Sequence, residues 1–136
     1  MRMFSRCVIA ALLAAMPATA DEVWKTDLGE IMWETDYDGG AIFRIDTGKG
    51  KLVRFYIEGL EPTGAPRGHF DGFWISTSDE GLCSAELVDP DGTRSRTWGR
   101  VSLTFVDKEF PSDWTALTGE CMGEPHEVMT GRALTS

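Results

Sequence analysis

The recurrence of short β-prone runs between turn residues is the feature that most constrains this fold. Runs rich in Val, Ile, Phe, Tyr, Trp and Thr alternate with Gly-, Pro- and Asp-containing turns, and no long segment places apolar residues at helical spacing. This pattern is typical of antiparallel strands joined by short loops. The sequence therefore predicts an all-β chain.

The predicted elements follow from these runs. Strands are expected at 23–26, 30–37, 41–47, 51–59, 68–77, 82–89, 93–106 and 127–134. The one short helix is expected at 112–117, where Pro111 precedes a Ser112 cap and Asp113 lies in the first turn. An antiparallel meander of this length with one apolar face must close or split into layers. We expect a small barrel, with a two-layer sandwich as the alternative.

The turn at 89–92 predicts the register of one hairpin. Pro90 fixes its φ at about −65°, which excludes the two-residue primed turns. A three-residue loop with Gly92 in the left-handed position pairs Asp89 with Thr93. Extended along both strands, this register places Glu86 opposite Arg96.

Two other loops predict registers by the same rule. A three-residue loop at 38–40 sets Trp33 opposite Ile45, and one at 48–50 sets Phe43 opposite Phe55. The second register also sets Arg44 opposite Arg54. Such a like-charge pair requires screening by Glu34 or by solvent.

Residues 1–20 have the pattern of a secretory signal peptide. Arg2 and Arg6 precede an apolar run at 8–16 that is too short to span a bilayer, and Ala-Thr-Ala at 18–20 is a small-residue cleavage pattern. We therefore expect one β-rich domain over 21–136, without a membrane span, in the periplasm or outside the cell. There, Cys83 and Cys121 are expected to form a disulfide, because Cys7 leaves with the signal peptide.

The charge of this domain narrows its partners. Removal of 1–20 takes away two of thirteen basic residues and none of the twenty-two acidic ones, so the net charge becomes −11. Such a surface repels nucleic acid and anionic lipid and attracts cationic partners. We expect an unidentified protein or small-molecule partner, with a cationic partner favoured by this charge, and no nucleic acid.

One predicted outer surface carries two tryptophans. If the loop at 78–81 makes a hairpin, Trp74 and Trp98 flank Ser84 across three strands, with Glu86 and Arg96 one step away. A planar ring, a sugar face or a proline fits between two indoles. The alternative is a second small core, covered by the segment around Trp114 or by the loop at 62–66.

A second predicted feature is a row of positive charge. Arg94, Arg96 and Arg100 alternate along a predicted strand and share one face with Trp98. They suit a carboxylate or phosphate ligand. The simpler interpretation is cross-strand pairing with Glu86 and its acidic neighbours.

Metal sites and catalytic motifs are not indicated by the sequence. Asp-x-Asp-Gly at 36–39 and 89–92 lacks the remaining ligands of a calcium loop and suits a turn. His69 and His126 have no His or Cys at ligand spacing, and no hydrolase motif, phosphate loop or dinucleotide-binding turn is present. We expect no cofactor.

These features predict a non-catalytic, exported β-barrel that binds through the Trp74 and Trp98 face. A specific version is an inhibitor or sequestering protein for a cationic enzyme. The alternative from another class is a small hydrolase that uses carboxylates or a metal. A carrier with a cavity inside the barrel is disfavoured, because the predicted inner side chains are large enough to fill it.

Overall fold

The chain folds into a closed antiparallel barrel of eight strands. A computed structural model describes residues 22–37, 39–47, 52–60, 68–107 and 112–134. Its strands are β1 (Val23–Thr26), β2 (Gly29–Tyr37), β3 (Gly40–Asp46), β4 (Leu52–Glu58), β5 (His69–Ser76), β6 (Leu87–Val88), β7 (Arg94–Ser95), β8 (Trp98–Phe105), β9 (Trp114–Thr118) and β10 (Glu127–Ala133). The order around the barrel is β1-β10-β9-β8-β5-β4-β3-β2, and β6 with β7 forms a separate two-stranded sheet. The predicted barrel is thus confirmed over the sandwich.

Large apolar side chains from the inner faces of the strands pack together inside the barrel. Trp24 contacts Phe43 at a ring-centroid distance of 4.9 Å, and its indole Nε1 donates to the Ser112 carbonyl at 2.8 Å. Strand alternation produces this arrangement, because every second side chain points inward. The buried interior cluster consists of Trp24, Ile31, Trp33, Ala41, Phe43, Ile45, Phe55, Ile57, Leu60, Val101, Leu103, Phe105, Trp114 and Ala116.

The predicted register between β3 and β4 is confirmed. Phe43 pairs with Phe55, and Arg44 pairs with Arg54. Glu34 screens the two arginines as expected, since its carboxylate oxygens lie 3.4 Å from Arg44 Nη1 and 3.5 Å from Arg54 Nε. One carboxylate therefore bridges two cations that face each other across strands.

The predicted register between β2 and β3 is wrong by two residues. Trp33 pairs with Phe43 rather than with Ile45, and a bulge at Glu34 shifts the pairing beyond it. A shift of two keeps each side chain on its face, so Trp33 still lies inside. The bulge places Thr35 on the exposed surface rather than in the interior.

The helix predicted at 112–117 is wrong, because Trp114–Thr118 forms β9, paired with β8 and β10. Trp114 and Ala116 are buried, whereas Thr115 between them is exposed. Two neighbouring strands supply backbone partners, and burial of Trp114 outweighs the local capping signal. Ser112 Oγ accepts the Asp107 amide at 3.0 Å instead of capping a helix.

Residues 77–97, here called the flap, leave the barrel after β5 and rejoin it at β8. The strand predicted at 82–89 survives only as β6, which pairs with β7 in the predicted register. The predicted turn is confirmed: the Asp89 amide donates to the Thr93 carbonyl at 2.9 Å, and Gly92 has φ of 89°. Because the flap leaves the barrel, β8 pairs directly with β5, and Ile75 faces Trp98 rather than Cys83.

The flap buries part of the outer barrel wall. A second apolar cluster forms between the flap and the outer faces of β3, β4, β5 and β8. These strands are therefore apolar on both faces where the flap lies over them. The buried members of the cluster are Ile42, Tyr56, Ile75, Cys83 and Trp98, with Tyr37, Phe73, Leu87 and Cys121 partly buried around them.

The predicted disulfide joins the flap to the loop between β9 and β10. Cys83 and Cys121 are bonded, with Cα atoms 5.6 Å apart and a sequence separation of 38. This bond is compatible with an oxidising environment. The predicted signal peptide at 1–20 lies outside the described residues, and within them no helix is long and apolar enough to cross a membrane.

Candidate functional site

The two tryptophans of the predicted binding face lie on opposite sides of the barrel wall. Trp74 packs against the interior cluster and donates from Nε1 to the Gly119 carbonyl at 2.8 Å. Trp98 lies on the outer face under the flap, is only 6% exposed, and donates to the Ala85 carbonyl at 2.9 Å. The predicted row of Trp74, Ser84 and Trp98 is therefore wrong. A second small core does cover Trp98, but the flap forms it.

The predicted outward orientation of Trp74 in β5 is wrong, because this strand carries apolar residues on both of its faces. Phe70 and Trp74 pack inward, whereas Phe73 and Ile75 pack outward beneath the flap. Asp71 lies on the exposed outer face, and the pairing of β5 with β8 runs without a bulge. An alternating pattern identifies a face only when the other face is polar.

The three arginines of the predicted positive row do not share one strand. Arg94 lies in β7 and pairs with Glu86 at 3.1 Å, which matches the cross-strand alternative. Arg96 lies in the bend between β7 and β8, and Arg100 lies in β8. All three side chains are exposed.

Several predicted residues nevertheless gather around the disulfide. Cys83 donates its amide to the Arg96 carbonyl at 2.7 Å, and Gly119 donates to the Arg100 carbonyl at 3.0 Å. Exposed Ser84 follows Cys83 in sequence. We call the surface formed by 79–84 and 119–124, bridged by Cys83–Cys121, the disulfide rim.

The disulfide rim is held by the backbone as well as by the covalent bond. Cys121 has φ of 55°, the only positive φ outside glycine among the described residues, and its amide donates to the Trp98 carbonyl at 2.8 Å. Gly123 closes the turn by donating to the Glu120 carbonyl at 2.9 Å. Left-handed backbone at a non-glycine residue persists only where the surroundings hold it. The rim is thus a fixed surface rather than a loose loop.

Exposed apolar side chains flank the disulfide on both sides. Met122, next to Cys121, is 74% exposed, and Leu82, next to Cys83, is 44% exposed. Neither residue was predicted as part of a site. The available signal was an apolar residue beside each cysteine, within turn-rich segments that offer it no strand face.

The two segments of the disulfide rim also carry exposed carboxylates. Asp79, Glu120 and Glu124 are exposed, and the sequence has no Lys or Arg at 77–93 or at 109–131. The nearest basic residues that the backbone brings to the rim are Arg96 and Arg100. The rim segments therefore combine exposed carboxylates with backbone contacts to two arginines.

A hydroxyl-rich cluster around His69 lies on the outer wall. His69 Nδ1 is 2.8 Å from Thr104 Oγ1, while Asp71 Oδ1 and Ser102 Oγ lie 3.2 and 3.3 Å from Nε2. A Ser-His-Asp triad needs its acid and its nucleophile on different ring nitrogens. Here both share Nε2 and the cluster is exposed, so this geometry does not activate Ser102.

The Asp-x-Asp-Gly turn at the flap tip contacts the barrel through a tyrosine. Tyr56 is fully buried and donates its hydroxyl to Asp89 Oδ2 at 2.8 Å, with Asp91 Oδ2 at 3.1 Å. Burial is the largest cause of a pKa of Tyr56 far above its usual value, and the hydrogen bonds and charges of the two aspartates raise this pKa further. Asp89 Oδ1 accepts the Asp91 and Thr93 amides, which is turn chemistry.

No group of three or more His, Cys, Asp or Glu side chains in the described ranges is arranged to hold a metal ion. Comparison with protein-family models, with curated proteins and with solved structures returns no match to the chain.

Proposed function

We propose that this protein is an exported, non-catalytic binding module that docks a cationic protein on the disulfide rim. The observation that carries the proposal is the pair of exposed apolar side chains, Leu82 and Met122, on a covalently braced surface bordered by carboxylates. An inhibitor or sequestering protein for a cationic enzyme is the specific version that this surface suits.

The apolar centre of the disulfide rim supports a protein partner. Interfaces bury a core of apolar and especially aromatic or Met side chains within a polar border. Met122 is flexible and polarizable, and such a side chain adapts to the shape of a partner. In the free protein the Met122 side chain stays in water instead of packing in the core. A partner that covers it removes this apolar surface from water.

Charge supports a cationic partner. Asp79, Glu120 and Glu124 border the apolar centre, and the domain as a whole is strongly acidic. Complementary charges raise the association rate and reject acidic partners. Arg96 and Arg100, whose carbonyls accept the Cys83 and Gly119 amides, are exposed cations beside this acidic surface.

Rigidity supports tight binding of this surface. The disulfide and the backbone hydrogen bonds of Cys83, Gly119 and Cys121 hold the rim before any partner arrives. A preorganised surface loses little conformational entropy on association.

The binding test uses a short lysine-rich peptide that also carries leucine, with a glutamate-rich counterpart as the negative probe. We expect saturable binding of the first peptide, weakened as salt rises. The double change Glu120→Gln/Glu124→Gln should weaken the affinity by roughly three- to tenfold. Met122→Ser should weaken it by about tenfold, because an apolar contact is lost.

Matched variants at the opposite end of the barrel separate the rim from net charge. Glu58→Gln/Asp107→Asn makes the same change in charge, and Val106→Ser removes another exposed apolar side chain. Both variants should leave peptide affinity within about twofold of the parent, since none of the three substituted residues is close to the rim. Equal losses in the rim and control variants, or binding that salt leaves unchanged, would refute the proposal.

A further inference from the structure

A second pair of cations faces across the neighbouring strands β1 and β10. Lys25 in β1 lies directly opposite Arg132 in β10, and both side chains are exposed. Directly opposed residues have Cβ atoms about 5 Å apart, and like charges at that distance destabilise the sheet. This pair therefore requires compensation, as Arg44 and Arg54 do.

The two cation pairs differ in what neutralises them. Glu34 bridges Arg44 and Arg54 through its two oxygens. In the described part of the chain, no carboxylate lies within ion-pairing distance of Lys25 or Arg132, although Glu30 is the cross-strand neighbour of Lys25 on β2. Among the described residues, none performs at this pair the role that Glu34 performs at the other.

Lys25 and Arg132 also line a surface groove. Thr130, two residues before Arg132 on the same face of β10, contributes a hydroxyl, and Thr26 and Asp27 complete the lining. The guanidinium fork, the ammonium group and the hydroxyl can each donate to a different oxygen. Three donors match the three free oxygens of a tetrahedral oxyanion ester better than the two oxygens of a carboxylate.

We propose that the groove between β1 and β10 binds a phosphate or sulfate group through Lys25, Arg132 and Thr130. Asp27 at the same groove disfavours additional negative charge nearby. The Asp27 carboxylate favours a ligand that turns its uncharged esterified oxygen or a neighbouring hydroxyl toward it. The site lies on the outer wall of β1 and β10, and it does not depend on the disulfide rim.

The test is a titration of the full domain with inorganic sulfate and with inorganic phosphate at constant ionic strength. Amide chemical shifts measure the binding. We expect saturable shifts at Lys25, Thr130 and Arg132. Lys25→Met/Arg132→Met should weaken binding by at least about tenfold, since two charge-assisted donors are lost. Lys25→Arg should retain binding, because it keeps the charge, and the same spectra report whether each variant is folded.

The matched control is Arg44→Met/Arg94→Met, which removes two cations that already have carboxylate partners. It should leave sulfate affinity within about twofold of the parent. Equal losses in both double variants, or shifts that grow linearly without saturation, would show general counterion screening and overturn the proposal. A response to acetate equal to that of sulfate would overturn the tetrahedral class. Arms with glycerol phosphate and a sulfated disaccharide then distinguish a phosphate ester from a sulfated sugar.

Discussion

A single hydroxyl holds the flap tip against the barrel. Tyr56 projects from the outer face of β4 and reaches Asp89, which is 4% exposed and anchors the turn through its other oxygen. A buried carboxylate that loses a donor costs about 1–3 kcal/mol. Tyr56→Phe should therefore lower the free energy of unfolding by about that amount at neutral pH, as measured by denaturant titration.

Alkaline titration checks the environment of the same residue. The chain has two tyrosines, and the pKa of each is raised above its ordinary value of about 10, Tyr56 mainly by burial and Tyr37 by burial and by Glu58. The folded state then holds its protons where the unfolded state releases them, so stability present below about pH 10 is lost as pH rises further. Tyrosinate absorbance should appear together with unfolding.

Variants assign this alkaline loss of stability. Tyr56→Phe should make unfolding less dependent on pH above about pH 10, whereas Tyr37→Phe should retain most of that dependence. Tyrosinate absorbance that develops near pH 10 while the protein stays folded would contradict the buried hydroxyl.

At the level of elements, β9 and β10 pack through one glycine. A Cβ at Gly131 would overlap the indole ring of Trp114, which is 1% exposed and in edge contact with Trp24 at 6.0 Å. Gly131→Ala should therefore destabilise the fold by about 1–3 kcal/mol in thermal or denaturant unfolding. Gly68→Ala is the control, since nothing lies near its added Cβ, and its effect should stay below about 1 kcal/mol. Similar losses in both variants would contradict this packing.

The flap is an element whose attachment depends on the disulfide. Cys83→Ser/Cys121→Ser should cost roughly 4 kcal/mol in the chain-entropy model. The loss should be local: hydrogen exchange at the Trp98 indole, under the flap, should accelerate more than exchange at the Trp24 indole, inside the barrel. Equal acceleration at both indoles would show that the flap and the barrel unfold as one unit.

The same elements show what the sequence could predict. Turn residues with a defined backbone preference, such as Pro90 and Gly92, correctly predicted a local register. The prediction of a helix at 112–117 is wrong because the strand conformation of Trp114–Thr118 depends on pairing with β8 and β10, which a local capping signal does not report. The orientation of β5 could not be predicted from alternation, because the outer face of this strand is apolar where the flap covers it. The exposure of Leu82 and Met122 could not be predicted, because both lie outside strands and have no alternating pattern that assigns them a face.

At the scale of the whole molecule, the barrel separates two surfaces with opposite chemistry. The disulfide rim combines carboxylates with exposed apolar side chains, whereas the groove between β1 and β10 combines two cations with a hydroxyl. Both are built on strands or on loops braced by strands, so neither depends on a mobile segment for its shape. The net charge predicted from sequence describes the average surface and conceals this division.

The barrel closes through the pairing of its first strand, β1, with β10. The sheet therefore cannot close until both of these strands are present. Trp24 pairs with Ala133, and the Leu134 amide donates to the Val23 carbonyl at 3.0 Å. A polypeptide that lacks the seven-residue strand β10 has two open sheet edges, at β1 and at β9. Open edges of this kind pair readily with other chains, so truncation of the polypeptide before β10 should leave an aggregation-prone product.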